Sequence, residues 1–294
     1  MIIMKLKGGL GNQMFQYALG RKLSLLNDDI LKLDNNEYKK AYCLGKRKYE
    51  LNNFNIKADI ANSKEILKIR GFSNRILLKL NLVKNNYIRE KNTNIFDPEI
   101  LNKKGDLYLD GYWQSENYFK DIRKIILNDF TLNHSIKNEK FYNVLDEIKK
   151  NNSVAIHIRG GDYVHNEDTR KFHGLLTADY YNQAIDCISK SVHSPKFYIF
   201  TDDLQHSQKL LENLDNLKYT LISINKFFDY EELMLMKNCK YFIIPNSSFS
   251  WWGAWLSEFK DKIVIVPKYW FKNEKRKDVN IAADGWIKIN NICL

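Results

Sequence analysis

The pattern of apolar and polar residues alternates between short apolar runs and segments with helical spacing. Residues 1–6 form an apolar run that ends at glycines, which predicts a buried strand. After a glycine turn, apolar side chains recur at helical spacing and predict a helix: Met14, Phe15, Ala18, Leu19, Leu23 and Leu26. Residues 30–92 are rich in Lys and Asn and weakly patterned, with one helix predicted over residues 61–69.

The second half of the chain alternates regularly between strands and helices. Strands are predicted over residues 153–158, 196–201, 219–223, 241–245 and 262–266. Helices are predicted over residues 179–189, 204–214, 229–238 and 251–259. This alternation is typical of an α/β domain, in which helices cover both faces of a mostly parallel sheet. A polar break at residues 149–152 divides the chain into two predicted domains, 1–150 and 151–294.

Composition narrows the class of protein. The chain has 294 residues, of which 44 % are hydrophobic, so it holds enough apolar material for a core and does not resemble a disordered protein. Its four cysteines form no CxxC pair, which argues against a zinc site or a disulfide scaffold. The apolar runs are too short for a signal peptide or a membrane span. We therefore expect a cytoplasmic protein, attached at most to a membrane surface.

The net charge of +11 indicates an anionic partner. Residues 1–150 carry a net charge of +10 and residues 151–294 only +1, while residues 32–91 alone carry +9. We predict that residues 32–91 contact an anionic membrane surface, because residues 70–84 mix basic and apolar side chains. The alternative is a solvated basic face on an ordinary helix.

Polar side chains follow the predicted strands of the second half. Strand alternation places Ala155, His157 and Arg159 on one face, with His157 and Arg159 at the carboxyl end, where ligands bind in parallel sheets. The planar guanidinium of Arg159 suits a diphosphate. The alternative is a core histidine and an arginine paired to a surface acid.

Two further strand ends carry groups that can bind a ligand. Asp202 and Asp203 can accept from a base or a ribose, although one of them is expected to cap the helix that follows. Hydroxyls at residues 247–250 precede a helix, where they can bind an anion or simply form an N-cap. Near the amino terminus, the amides of Asn12 and Gln13 suit sugar hydroxyls or a phosphate oxygen.

Together these segments are more specific than any one alone. Residues 8–18 (GGLGNQMFQYA) and 157–163 (HIRGGDY) resemble the opening signature and the HxRRxD motif of glycosyltransferase family 11, the α-1,2-fucosyltransferases. The resemblance continues in order through residues 172–174 (FHG), 201–203 (TDD), 246–256 (NSSFSWWGAWL) and 266–271 (VPKYWF). It is sparse between residues 30 and 105.

The resemblance implies a GT-B-like fold, with two Rossmann-like domains that face a central cleft. It implies an inverting enzyme that needs no metal or other cofactor and moves L-fucose from GDP-fucose to the 2-hydroxyl of a terminal galactose. In this reading Arg159 binds the diphosphate, Asn12 faces the phosphate or fucose, and both count as catalytic. The donor is also contacted by Gln13, His157, Thr201, Asp202, Asp203, Ser247, Ser248, Phe249 and Ser250.

Three points stay open in this reading. The family's second Arg is Gly160 here, and Arg21 and Lys171 are candidates to replace it. Asp162 is the first candidate for the catalytic base, followed by Glu167 and Asp168, but it also fits a turn cap or a partner of Arg159. The function also has alternatives: a fucosyltransferase that forms another linkage, or a transferase that uses another GDP-sugar. A basic nucleic-acid-binding protein is a more distant one, since no such module is found.

Overall fold

The computed structural model describes residues 1–39, 47–70, 86–161, 164, 166–214, 217–272, 279 and 281–291. Two compact units divide the chain, Met1–His134 and Ser135–Leu294. We predicted the boundary at 150/151, and the division falls earlier because the helix Glu139–Lys150 packs on the sheet and a helix of the second unit. Residues 71–85, which hold nearly all of the predicted membrane-facing stretch 70–84, lie outside the described ranges.

The first unit contains a five-stranded parallel sheet in the order β3-β2-β1-β5-β4. Its strands are β1 (Ile2–Lys5), β2 (Leu31–Asp34), β3 (Asp59–Ile60), β4 (Tyr87–Arg89) and β5 (Leu107–Asp110). Its helices are α1 (Leu10–Asn27), α2 (Ser63–Arg70) and α3 (Arg123–Asp129). Short 3₁₀ turns at Pro98–Ile100 and Glu116–Tyr118 follow β4 and β5.

Helix α1 lies close against this sheet. A Cβ at Gly20 would come within 2.7 Å of the Leu31 side chain, so a larger residue here would require Leu31 to shift. The helix ends at Asp28, whose backbone is left-handed with φ of 49°. The predicted strand–glycine turn–helix unit at the amino terminus is therefore present, and the glycine turn leaves the carboxyl end of central strand β1.

The second unit contains a six-stranded parallel sheet in the order β11-β10-β9-β6-β7-β8. Its strands are β6 (Asn152–Ile158), β7 (Pro195–Thr201), β8 (Tyr219–Leu221), β9 (Tyr241–Ile243), β10 (Val264–Pro267) and β11 (Ile287–Ile289). Its helices are α4 (Glu139–Lys150), α5 (Glu167–His173), α6 (Ala178–Ser191), α7 (Leu204–Leu211), α8 (Asp229–Lys237) and α9 (Ser248–Leu256).

Strand β6 shows how alternation positions the site. Val154, Ile156 and Ile158 face a buried cluster that includes Tyr180 and Tyr181 of α6. His157 belongs to the opposite face, as the alternation predicts. The two parallel sheets with covering helices confirm the predicted α/β fold with two Rossmann-like domains. In the described ranges no helix is both long and apolar enough to cross a membrane.

Candidate active site

Four parallel strands of the second unit end beside one another, and each is followed by a polar side chain. Strand β6 lies between β9 and β7, and β8 flanks β7. The residues that follow are Arg159 after β6, Asp202 after β7, Ser223 after β8 and Ser247 after β9. Because the carboxyl ends of parallel strands meet at one edge of a sheet, these groups form a single candidate ligand site.

Arg159 and Asp202 form an ion pair at this edge. The strand register accounts for it, because Ile158 pairs with Thr201, so that the next residue of each strand lies beside the other. Asp202 Oδ1 also accepts a hydrogen bond from the Gly160 backbone N–H at 2.8 Å. The guanidinium is mostly buried, with 14 % of its side chain exposed, so the carboxylate compensates a positive charge that is largely withdrawn from water.

Asp203 has a different role from Asp202. Its carboxylate accepts a hydrogen bond from the His206 backbone N–H at 3.0 Å and thereby caps helix α7. The Thr201 hydroxyl accepts from the Asp203 N–H and donates to the Asp203 carbonyl oxygen. We predicted all three as donor-binding residues. Thr201 and Asp203 stabilise the strand end and the start of α7, and Asp202 pairs with Arg159; donor binding by all three stays a prediction.

The two glycines after Arg159 are required by these aspartates. A Cβ at Gly160 would lie 2.5 Å from the Asp203 Cβ, and one at Gly161 would lie 2.5 Å from Asp202 Oδ2. Gly161 also has a positive φ of 43°. An arginine at position 160 would therefore clash with Asp203 unless the backbone or Asp203 moved.

His157 is a neutral, buried member of the site. Its side chain is 3 % exposed, and its ring centroid lies 5.8 Å from that of Phe249 at the start of α9. Burial, which is the larger cause, and the nearby charge of Arg159 together lower the pKa of His157 to about 3. The imidazole is therefore uncharged at neutral pH. Nδ1 is buried and has no hydrogen-bond partner among the described residues.

The serines before helix α9 are not equivalent. We predicted that the helix begins at Trp251, but it begins at Ser248, with Ser247 as the N-cap residue. Ser250 is buried, and its hydroxyl donates to the Ser247 carbonyl oxygen at 3.4 Å, so it turns into the helix. Ser248 and Phe249 are partly exposed. The surface offered to a ligand is thus the first turn of α9, without the Ser250 hydroxyl.

Sequence reasoning missed Glu232, in the first turn of α8. Burial raises the pKa of Glu232 to about 8, a hydrogen bond with Ser223 opposes the shift, and the charges of Asp229 and Asp202 add to it. A carboxyl group beside the Arg159–Asp202 pair is thus largely protonated at neutral pH. Acidic residues are common in the first turn of any helix, so nothing in the sequence distinguishes Glu232 from its neighbours.

The amino-terminal glycine turn places Asn12 and Gln13 differently. Asn12 is partly exposed, and its Oδ1 accepts from Gln114 Nε2 at 2.6 Å. Gln13 is fully buried, donates to the carbonyl oxygens of Gly8 and Lys48, and accepts from the Glu50 N–H. We predicted that both amides bind the donor, but Gln13 is occupied in holding the chain of its own unit.

The remaining candidates separate as follows. Asp162 lies outside the described residues. Glu167 forms an exposed pair with Lys171 at 2.7 Å on α5, and Asp168 is exposed on the same helix. Arg21 forms an ion pair with the buried Asp129 at 3.0 Å within the first unit. Within the described ranges, no group of three or more His, Cys, Asp or Glu side chains is arranged to hold a metal.

Comparison with known proteins agrees with this geometry. The model of glycosyl transferase family 11 matches residues 1–290. The α-1,2-colitosyltransferase of Escherichia coli is 34 % identical over 98 % of both chains. The O-antigen biosynthesis glycosyltransferase WbnK of Escherichia coli is 36 % identical over 97 % of this chain and 99 % of that protein. The fold is similar to that of an Arabidopsis thaliana FUT1 mutant in complex with GDP, with a TM-score of 0.50 and 11 % identity over 91 % of this chain and 70 % of that one.

Proposed function

The chain belongs to glycosyl transferase family 11, and we propose that it moves L-fucose from GDP-fucose to the 2-hydroxyl of a terminal galactose. It is a glycosyltransferase by its family, and the 2-linkage agrees with the name of the colitosyltransferase to which it is similar. The observation that carries the donor assignment is the arrangement of Arg159, Asp202 and the first turn of α9 at one sheet edge.

The chemistry requires positive charge where the diphosphate leaves. As the bond between fucose and GDP breaks, negative charge grows on the β-phosphate and positive charge grows on the sugar ring. In our proposal the Arg159 guanidinium donates to the diphosphate, because its fork matches phosphate oxygens and keeps its charge. The backbone N–H groups at the start of α9 add donors at the positive end of the helix dipole. These groups stabilise the leaving group.

Asp202 would orient Arg159 before the donor binds. Its carboxylate is already paired with the guanidinium and with the Gly160 N–H, so the arginine is held at the end of β6. The same carboxylate would offer an acceptor for the nucleoside. His157 stays neutral and would pack beside the nucleotide with Phe249. In the first unit, Asn12 would contact the donor sugar or phosphate. The Arg47 guanidinium lies beside the same glycine turn, about 3.5 Å from the position of a Cβ added at Gly9.

The acceptor hydroxyl has to lose a proton as it attacks. Asp162 remains our first candidate for the base, and Glu167 and Asp168 the next, as the motif suggests. Variants at all three positions, each followed by a pH–rate profile, test this assignment. If none of the profiles changes, no base of this set is needed.

One observation favours a second candidate donor, GDP-colitose. The 34 % identity with the colitosyltransferase extends over 98 % of both chains. Colitose is the 3-deoxy form of L-fucose, so a site that accepts one sugar has to discriminate at a single hydroxyl. The two candidates therefore share the reaction and differ in the transferred sugar.

The test is transfer to a panel of galactosides with GDP-fucose and with GDP-colitose, followed by linkage analysis of the products. We expect a 2-linked fucosyl product and thermal protection of the protein by GDP but not by UDP. A product from GDP-colitose alone would assign the second function. Transfer from neither donor, with no protection by GDP, would overturn both.

A further inference from the structure

A pocket of about 680 Å³ lies in the first unit, where the chain leaves the carboxyl ends of β4 and β5. Its lining includes the aromatic residues Phe96, Trp113 and Tyr118 and the polar residues Glu90, Asn92 and Asp97. Small-molecule sites commonly have volumes of about 300–1,000 Å³ and combine apolar walls with a few placed polar groups. No motif of the sequence pointed to this pocket, and the residues that line it all belong to the first unit.

The aromatic wall of the pocket is rigid. The ring centroids of Phe96 and Tyr118 lie 4.9 Å apart, and those of Trp113 and Tyr118 lie 6.0 Å apart, both edge to face. The Tyr118 hydroxyl accepts from the Asp97 N–H at 2.9 Å and donates to the Ile95 carbonyl oxygen at 3.4 Å. Trp113 and Tyr118 are each only 1 % exposed, so they back the wall, and the ring that a ligand can contact is that of the partly exposed Phe96. An aromatic face beside polar groups suits a ligand that has both C–H faces and hydroxyls, as a sugar ring has.

The backbone around the pocket is strained. Trp113 has φ of 57°, in the left-handed region that bulky residues rarely adopt, whereas Asn94, with φ of 68°, is of a type that adopts this region readily. The Glu90 carboxylate holds both, because it accepts from the N–H groups of Asn94, Tyr112 and Trp113 at 3.1, 2.7 and 3.2 Å. Residues in such conformations cluster at binding sites, where the surrounding structure maintains them.

Two buried polar atoms beside the pocket have no protein partner. The indole Nε1 of Trp113 and the amide Oδ1 of Asn94 make no hydrogen bond within the part of the chain that the structure describes. Buried polar groups are nearly always hydrogen-bonded to protein or to an ordered molecule. Both atoms are covered by protein, and Asn94 is not among the residues that line the pocket, so neither atom defines a contact of the ligand.

The pocket is joined to the amino-terminal glycine turn by hydrogen bonds. Gln114, next to Trp113, donates from Nε2 to Asn12 Oδ1 at 2.6 Å, and Gln16 donates from Nε2 to the Gly111 carbonyl oxygen at 3.1 Å. Strands β1, β5 and β4 are neighbours in one parallel sheet, so Asn12 and the pocket share its carboxyl edge.

We propose that this pocket binds a saccharide unit of the acceptor glycan. The inference rests on the proposed function, because a glycosyl transfer requires an acceptor sugar near Asn12. It names the part of the first unit that recognises that sugar, namely the partly exposed ring of Phe96, which packs on the buried Tyr118, with Asn92 at the rim.

The test uses the full chain, GDP-fucose as donor and lactose as acceptor. The variants are Phe96→Ala in the aromatic wall and Asn92→Ala, an exposed position whose change does not endanger folding. Ile30→Ala is the control, because Ile30 is 61 % exposed and lies at the amino end of β2, whereas the pocket lies at the carboxyl ends of β4 and β5. We expect KM for lactose to rise about tenfold in Phe96→Ala and threefold or more in Asn92→Ala. GDP affinity and donor hydrolysis without lactose should change less than twofold.

A second measurement separates this proposal from the proposed function. Saturation-transfer difference NMR of lactose with the full chain needs no donor and no turnover. Lactose signals that are present in the wild type and in Ile30→Ala but lost in Phe96→Ala support the pocket, even if GDP-fucose is not a donor. Equal signals in Phe96→Ala, no signal in the wild type, or an unchanged KM in both pocket variants would overturn the proposal.

Discussion

The guanidinium of Arg159 pairs with the carboxylate of Asp202 at the ends of two adjacent parallel strands. The pair forms because Ile158 and Thr201 are in register, so each strand delivers its next residue to the same point. A positive charge is thereby held, mostly buried, at the carboxyl edge of the sheet, which is where ligands bind in open parallel α/β sheets.

This pair leads to the first prediction. Arg159→Ala should lower kcat for glycosyl transfer by about 100-fold or more, as expected for the loss of one electrostatic stabiliser of the leaving group. Steady-state kinetics with GDP-fucose and a galactoside measure it. Lys196→Ala is the matched control, since Lys196 pairs with Glu147 near the amino end of β7, far along the strand from the site. Equal kcat in both variants would rule out the role of Arg159.

The second prediction concerns the contact between Gly160 and Asp203. Gly160→Ala should destabilise the protein by roughly 1–3 kcal/mol, because the new Cβ would lie 2.5 Å from the Asp203 Cβ. In the double variant with Asp203→Gly that clash is absent, so the two effects should not add. Urea unfolding of the wild type, both single variants and the double variant gives the coupling. Additive losses would contradict the steric explanation.

The third prediction is a loss of stability in acid that depends on His157. Burial depresses the pKa of His157 to about 3, below the ordinary value of 6.5. Between these values the unfolded chain binds a proton that the folded protein does not, so stability falls as pH is lowered, by up to about 1.4 kcal/mol per pH unit. In His157→Gln the slope should be smaller by this amount. His193→Gln, at an exposed position, should keep the wild-type slope.

The fourth prediction concerns Glu232, whose titration lowers the stability of the protein as pH is raised. Burial raises the pKa of Glu232 to about 8, so the folded protein holds a proton that the unfolded chain releases near pH 4.5. This contribution to stability is complete below pH 4.5 and is lost as pH rises through 8. Glu232→Gln keeps a neutral side chain and should unfold at a higher denaturant concentration than the wild type at pH 8.5. Glu212→Gln, exposed after α7, should behave as the wild type. A wild-type profile in Glu232→Gln would refute the assignment.

The fifth prediction distinguishes the serines at α9. Ser248 is the first residue of the helix and is partly exposed, so Ser248→Ala should weaken GDP binding by about 3–10-fold, the loss expected for one hydrogen bond. The Ser250 hydroxyl is buried and bonded to Ser247, so Ser250→Ala should change GDP affinity less than twofold. Isothermal titration calorimetry measures both. The reverse order would show that Ser250 contacts the nucleotide.

Local patterns in the sequence determined much of this protein. Alternation along residues 153–158 established the buried and site-facing sides of β6, because successive side chains of a strand point to opposite faces. The glycine turn and the apolar spacing after it indicated strand β1 and helix α1. The order of strands and helices indicated the parallel sheet, and the motif residues Arg159, Asp202 and Ser248 lie at its carboxyl edge.

Only the tertiary structure assigned the individual roles. Asp202 and Asp203 are adjacent and chemically identical, yet they have different partners. Asp202 pairs with Arg159 because β7 is in register with β6, whereas Asp203 caps α7. Gln13 and Ser250 match the motif as well as Asn12 and Ser248 do, but packing buries their polar groups. Glu232 and the pocket around Trp113 depend on residues brought together from several segments, and no local pattern encodes such contacts. Burial, which sets the pKa values of His157 and Glu232, is likewise a property of the folded chain.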